Sequence, residues 1–246
     1  MSMLVFKKYE AFGYLMLSLG LSLAPSLSAQ EANLTTEKSV NGMTTHTAKA
    51  DQVFPMLKGF LSIPSAQRDQ ISLGYTLKVK NAPASQIKIQ LIDQGQTSPI
   101  SIDKDGVISP LPSLTQLKRG AEIHLTGPQK ASASLKLKIY STQGLKTTYD
   151  AQGLSRGITQ GNSASKKLAG VLAAALPKLD RVYFIGATNG RLSLSNGNTM
   201  ALPMTTKAGE YPAGTPYFVG SQYQGAVTIN FTKSPNSVMY DTPPKK

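Results

Sequence analysis

The sequence predicts a mainly β protein of β-sandwich-like modules, repeated along the chain, with one connecting α-helix and a short N-terminal helix. Three observations point there. Apolar and polar residues alternate in short runs, best from Ile71 to Lys80, Ile87 to Ile92 and Leu135 to Tyr140, and a two-residue period marks a half-buried strand. Gly, Pro, Asn and Asp punctuate the runs, as at Asp105-Gly106 and Asn196-Gly197, and such pairs make tight turns. Only one long stretch after the N-terminus, Ser163 to Leu176, has helical spacing of its apolar residues with a proline to stop it.

The chain opens with Lys7 and Lys8, a leucine-rich run from Ala11 to Ala24, Pro25, and Ser26-Leu27-Ser28-Ala29 before Gln30. A basic start, a short apolar middle and small residues at the cut read as a secretory signal peptide over 1–29. The run falls short of the ~20 apolar residues that cross a bilayer, and no later segment is more apolar. A periplasmic or secreted protein is expected, with no integral membrane segment after cleavage.

Residues 30–52 carry Thr, Ser, Asn and Lys and few large apolar side chains. A disordered tail is expected, with His46 exposed in it. Val53, Phe54, Met56, Leu57, Phe60 and Leu61 suit a short amphipathic helix begun near Pro55. Ile71–Lys80 and Ile87–Ile92 are expected to pair as a hairpin. Ile100–Ile102, Gly120–Thr126 and Leu135–Tyr140 complete a β module over 53–143. Residues 144–162 lack pattern and read as a linker. A helix over 163–177 follows, carried by Leu168, Val171, Leu172, Ala175 and Leu176. Arg181–Ile185, Arg191–Leu194, Tyr217–Val219 and Ala226–Phe231 form a second β module over 178–240, and 241–246 is a tail.

The second half echoes the first. Gly106 precedes Leu111-Pro112 by five positions, as Gly197 precedes Leu202-Pro203, and Gly120-Ala121 and Gly225-Ala226 each lead into a strand. Either a β unit is duplicated, or both halves follow the turn–strand–proline order common to β proteins.

Composition narrows the chemistry. The formal net charge is +13 and cysteine is absent. Disulfides, thiolate metal sites, a cysteine nucleophile and a lipid-modified cysteine are therefore excluded. With two histidines, His46 and His124, a multi-histidine metal centre is excluded too, and no cofactor is expected. Asp103-Lys104-Asp105-Gly106 has the start of a calcium loop, but Val107 and Ile108 follow where further oxygen ligands are needed, so it reads as a hairpin turn. Ser163-Ala164-Ser165-Lys166 matches the serine-x-x-lysine pattern of penicillin-binding proteins and β-lactamases, in which a serine at a helix start faces a lysine one turn on. The family's other two motifs have only Lys207-Ala208-Gly209 and Ser234-Pro235-Asn236 as counterparts, in reversed order. The simpler reading makes Ser163 the helix cap. His124, between Ile123 and Leu125, faces away from both and reads as a surface residue.

Lys78, Lys80, Lys88, Lys136 and Lys138 occupy outward strand positions. On neighbouring strands they would form one basic binding face for an anionic envelope component or another exported protein. Dispersed, they serve solubility and protect strand edges.

Phe60-Leu61-Ser62-Ile63-Pro64-Ser65-Ala66-Gln67-Arg68-Asp69, then Leu73-Gly74-Tyr75, Leu111-Pro112, Leu176-Pro177 and Arg181-Val182, resemble exported proteins of unknown function in alphaproteobacteria. The resemblance implies export and brings no activity. Length, basic charge, signal peptide and two β modules also resemble periplasmic pilus chaperones, with Asn81 after a strand and Leu117–Gly120 before Ile123 in their first domain. Their basic anchor residues and arginine-proline signature have no counterpart; Leu176-Pro177-Lys178 stands there instead. The expectation is a non-enzymatic, exported β protein that acts by binding, with a pilus-type chaperone and a serine acyl enzyme as alternatives.

Overall fold

A computed structural model describes residues 14–17, 35–40, 42–169, 178–206 and 210–243. The elements are mostly strands, in antiparallel sheets, as the alternation predicts. The chain divides into two units: Met1–Ser62 with Gly74–Leu137, and Ile63–Leu73 with Lys138–Lys246.

In the first unit, β1 (Tyr14–Leu17), β2 (Thr35–Val40) and β3 (Met43–Lys49) precede α1 (Ala50–Val53) and α2 (Leu57–Ser62). Then come β4 (Ile71–Lys80, in this unit from Gly74), β5 (Lys88–Asp93), β6 (Gln96–Ile102), β7 (Ile108–Ser109), α3 (Leu114–Arg119), β8 (Glu122–Pro128) and β9 (Ser132–Ser141, in this unit through Leu137). One sheet has the order β2-β3-β8-β5-β6-β7, while β4 and β1 pair with β9. Ile89, Leu91, Ile100 and Ile123 from the first sheet, Tyr75, Leu77 and Leu135 from β4 and β9, and Phe54, Leu57 and Phe60 from the helical segment are buried.

Several expectations are corrected here. Thr35–Val40 and Met43–Lys49, expected to lie in a tail, are strands: threonine is β-branched and suits a pleated surface, so polarity does not exclude a strand. The short helix expected to begin near Pro55 is α2, but a further turn, α1, precedes it, and the two are separated where Met56 takes φ 68°. β4 and β5 form no hairpin; β5 lies between β8 and β6 while β4 pairs with β9. Local alternation fixes a strand's face but not its partner. Helix α3 was not expected, although Ser113-Leu114-Thr115-Gln116 carries its signal. Ser113 Oγ accepts from the Gln116 amide, Gln116 Oε1 accepts from the Ser113 amide, and Gly120 closes the helix at φ 78°.

The second unit contains β10 (Thr148–Asp150), α4 (Ala151–Ala169), β11 (Arg181–Ile185), β12 (Arg191–Leu194), β13 (Thr199–Ala201), β14 (Tyr217–Phe218), β15 (Ala226–Asn230) and β16 (Ser237–Asp241). One sheet runs β10-β15-β12-β13; in the other, β11 lies between β14 and β16, and β16 pairs with Ile139 and Tyr140 at the end of β9. The turn at Asn196-Gly197 joins β12 to β13 as the sequence predicts, with Gly197 at φ 84°. Strand β16, whose Val238, Met239 and Tyr240 are all buried, was missed and shares residue Asp241 with the expected tail; residues 244–246 lie outside the described residues.

The expected linker over 144–162 is the largest correction, because Ala151–Ala169 is a 19-residue helix. Gly153, Gly157 and Gly161 recur every four residues on its buried face. A Cβ on Gly157 would overlap the Tyr240 ring, and one on Gly161 would come within 2.5 Å of Leu179 Cδ1. Each glycine costs the helix about 0.5–1 kcal/mol in propensity, and close approach to the sheet offsets it. Asp150 Oδ1 accepts from the Gln152 amide at 2.9 Å and caps the helix. Residues 170–177, the end of the expected helix, lie outside the described residues.

Compared strand by strand, the two units share one topology. The order β3-β8-β5-β6 matches β10-β15-β12-β13. A helical segment follows β3 as α4 follows β10, and β4 pairs with β9 as β11 pairs with β16. Ile123 stands opposite Ala48 and Leu91; Ile229 stands opposite Tyr149 and Leu192. The duplication is therefore one of architecture, and it shifts the register read from sequence: Gly197 matches Gly95 of the β5–β6 turn, not Gly106. Gly106 instead matches Pro216, since each gives its carbonyl to a core-strand amide, Leu77 at 2.7 Å and Phe184 at 3.0 Å.

Substituting Gly157→Ala is expected to lower unfolding free energy by about 1–3 kcal/mol through overpacking. Urea titration of Gly157→Ala, Tyr240→Leu and the double variant should show strong non-additivity, because both changes act on one contact.

Candidate functional site

The strongest candidate is in the first unit, on β3. Its burial alternates: Thr44, His46 and Ala48 point into the core while Thr45 and Thr47 point away. His46 is 4 % exposed, and neither ring nitrogen has a hydrogen-bond partner among the described residues. Thr44 Oγ1, two residues before on the same face, is also buried and has no partner among the described residues. The expected exposed histidine is thus an interior one. The threonines that suggested a tail are the strand-forming residues that carry it inward.

His46 lines a cavity of about 30 Å³ whose other walls are apolar, among them Phe54, Leu77, Ile123, Ala133 and Leu135. Such a space holds a water or the tip of an aliphatic side chain. Burial pushes the His46 imidazole below its usual range, since no group in the lining compensates a charge. An imidazole left without a partner costs the fold about 1–3 kcal/mol relative to a satisfied one. Leucine would serve the packing better. The site therefore offers a donor and an acceptor inside an apolar wall.

The five lysines do not form the single expected face. Lys78 and Lys80 are exposed on β4, and Lys136 lies on its partner β9, where Thr76 Oγ1 donates to the Lys136 carbonyl at 3.5 Å. Lys88 belongs to the other sheet of the unit, beside β8. Lys138, in the second unit, is ion-paired with Glu210 and lies 5.8 Å over the Tyr211 ring. What remains of the expected patch is Lys78, Lys80 and Lys136.

Ser163 and Lys166 also depart from expectation. Both are exposed and sit in the second half of α4, not at a helix start, so Ser163 caps nothing. Asp103 does what the hairpin reading asks: its Oδ1 accepts from the Asp105 and Val107 amides, each at 2.8 Å, and Gly106 takes φ 79°. His124 is on the outer face of β8, 3.9 Å from Glu122.

The second unit gathers Tyr140, Tyr183, Tyr211 and Tyr217 around Met239. Tyr183 stacks on Tyr211 at 4.0 Å, Tyr211 donates to Asp241, and Arg181 lies 4.9 Å over Tyr217 while pairing with Asp180. Burial raises the Tyr183 phenol to about 12. The Tyr183 hydroxyl donates to the Thr242 carbonyl at 3.4 Å, and the cluster holds down the loop that carries Tyr211.

No protein-family model matches the chain, and neither does any curated protein or solved structure.

A histidine whose pKa is lowered by folding takes up protons more readily in the unfolded chain. Stability should be complete above the unfolded value near 6.5 and fall as pH drops below it, with a slope of up to ~1.4 kcal/mol per pH unit from this residue. Replacing His46→Leu should remove that slope. Denaturant titrations at pH 8, 6 and 5 check it, and parallel pH curves for wild type and variant would count against the buried, neutral imidazole.

Proposed function

We propose that this chain is an exported, non-enzymatic β protein, periplasmic or secreted, that acts by binding another component of the envelope. The His46 cavity is the observation that supports a binding role. A buried donor–acceptor pair lies idle in an apolar wall at a cost to stability, which a ligand would recover. The sequence pattern at residues 1–29 supports export. The placement of Ser163 and Lys166 on an exposed mid-helix surface favours binding over acyl transfer. Lys78, Lys80 and Lys136 give the same unit a basic strand pair, which suits a partner bearing carboxylates or phosphates.

Capture from the organism's own envelope tests this with wild type and Ala133→Leu side by side. Leucine at 133 fills the cavity, so the partner retained by wild type should be lost by the variant while the thermal melt stays close to wild type. Retention through a wash at about 1 M salt, where the screening length is ~3 Å, is expected for an apolar contact. Equal capture by both proteins would remove the cavity from the binding site.

A further inference from the structure

We propose that the edge of β9 over Ala133–Lys136 accepts a strand, and that in the exported protein its occupant is an extended segment of another exported protein with alternating apolar and acidic residues. This rests on the reading of residues 1–29 as a segment removed on export.

The edge is taken in the full chain. Tyr14, Leu15, Met16 and Leu17 pair antiparallel with Lys136, Leu135, Ser134 and Ala133. That strand lies within the expected signal peptide. Cleavage after Ala29 takes it away and leaves this side of β9 with its amides and carbonyls unmatched. An unmatched edge is a template for strand addition, in which main-chain hydrogen bonds give affinity and alternate side chains give selectivity.

The chemistry on either face of that edge defines the partner. Ala133 and Leu135 line the His46 cavity. Residues directly opposite in an antiparallel pair share a face, so partner residues opposite Ala133 and Leu135 come to the cavity side. The volume there suits an aliphatic tip, and His46 stands in its wall. Partner residues opposite Ser134 and Lys136 come to the outer face, where Lys136 stands and Lys78 and Lys80 of the adjoining β4 are exposed. Carboxylates at those positions meet ammonium groups across the strands.

The absence of cysteine makes cross-linking unambiguous. Ser134→Cys is made in the protein as processed by a secreting cell and offered two peptides: residues 12–19 of this chain with Met16→Cys, and the same residues scrambled. Under mild oxidation the ordered peptide should form the mixed disulfide at least about tenfold faster, since paired positions bring the sulfurs within bonding range. Changing the peptide's Tyr14→Glu should raise the rate at low salt. A precursor with cleavage blocked should resist the peptide, and its Met16→Cys/Ser134→Cys form should close an internal disulfide. Equal rates for ordered and scrambled peptides, or for precursor and processed protein, would overturn the proposal. Rapid Ser134→Cys dimers without peptide would assign the edge to a second copy of this chain and overturn the stated occupant. A secreted protein whose mass retains residues 1–29 would sink the export reading alone. The internal disulfide would still decide whether the β9 edge pairs as described.

Discussion

Each unit depends on one isoleucine at the centre of its middle strand. Ile123 is buried in β8 between Ala48 and Leu91, and Ile229 is fully buried in β15 between Tyr149 and Leu192. A strand with a neighbour on each side fixes two registers at once, because a slip of one residue would turn every buried side chain outward. The helical segment enters directly from the strand beside it, at Ala50 in one unit and Ala151 in the other, both fully buried.

The units then spend the same framework differently. Where the first closes its β6–β7 connection with the tight Asp103–Gly106 turn, the second runs a longer loop from Pro203 to Pro216, tied at its neck by Thr205 to Pro212 and Thr215. That loop supplies Tyr211 to the tyrosine cluster, where it stacks on Tyr183 and donates to Asp241. In the first unit, by contrast, an imidazole without a partner among the described residues stands inside an apolar wall. Conflict between polarity and burial at His46 is what separates a candidate site from the surrounding framework, since every neighbour in the cavity wall obeys ordinary packing.

Among the described residues, no helix is long and apolar enough to cross a membrane, and no group of three or more His, Asp and Glu side chains is placed to hold a metal ion. What the first unit presents is an interior imidazole, a strand edge matched by the chain's own N-terminal segment, and lysines beside it.

The sequence by itself determined the class of the fold and most of its strands, because a two-residue period and the turn chemistry of Asp105-Gly106 and Asn196-Gly197 act over a few neighbouring residues. The cap of α3 at Ser113 and Gln116 is equally local. Tertiary structure alone decided three things. It made a helix of a glycine-rich stretch, since the need for close approach to Tyr240 and Leu179 arises only when those residues are in place. It gave β4 to β9 and β5 to β8, since pairing depends on chain segments far apart in sequence. And it turned His46 inward, since which face of a polar strand is buried depends on the sheet that covers it.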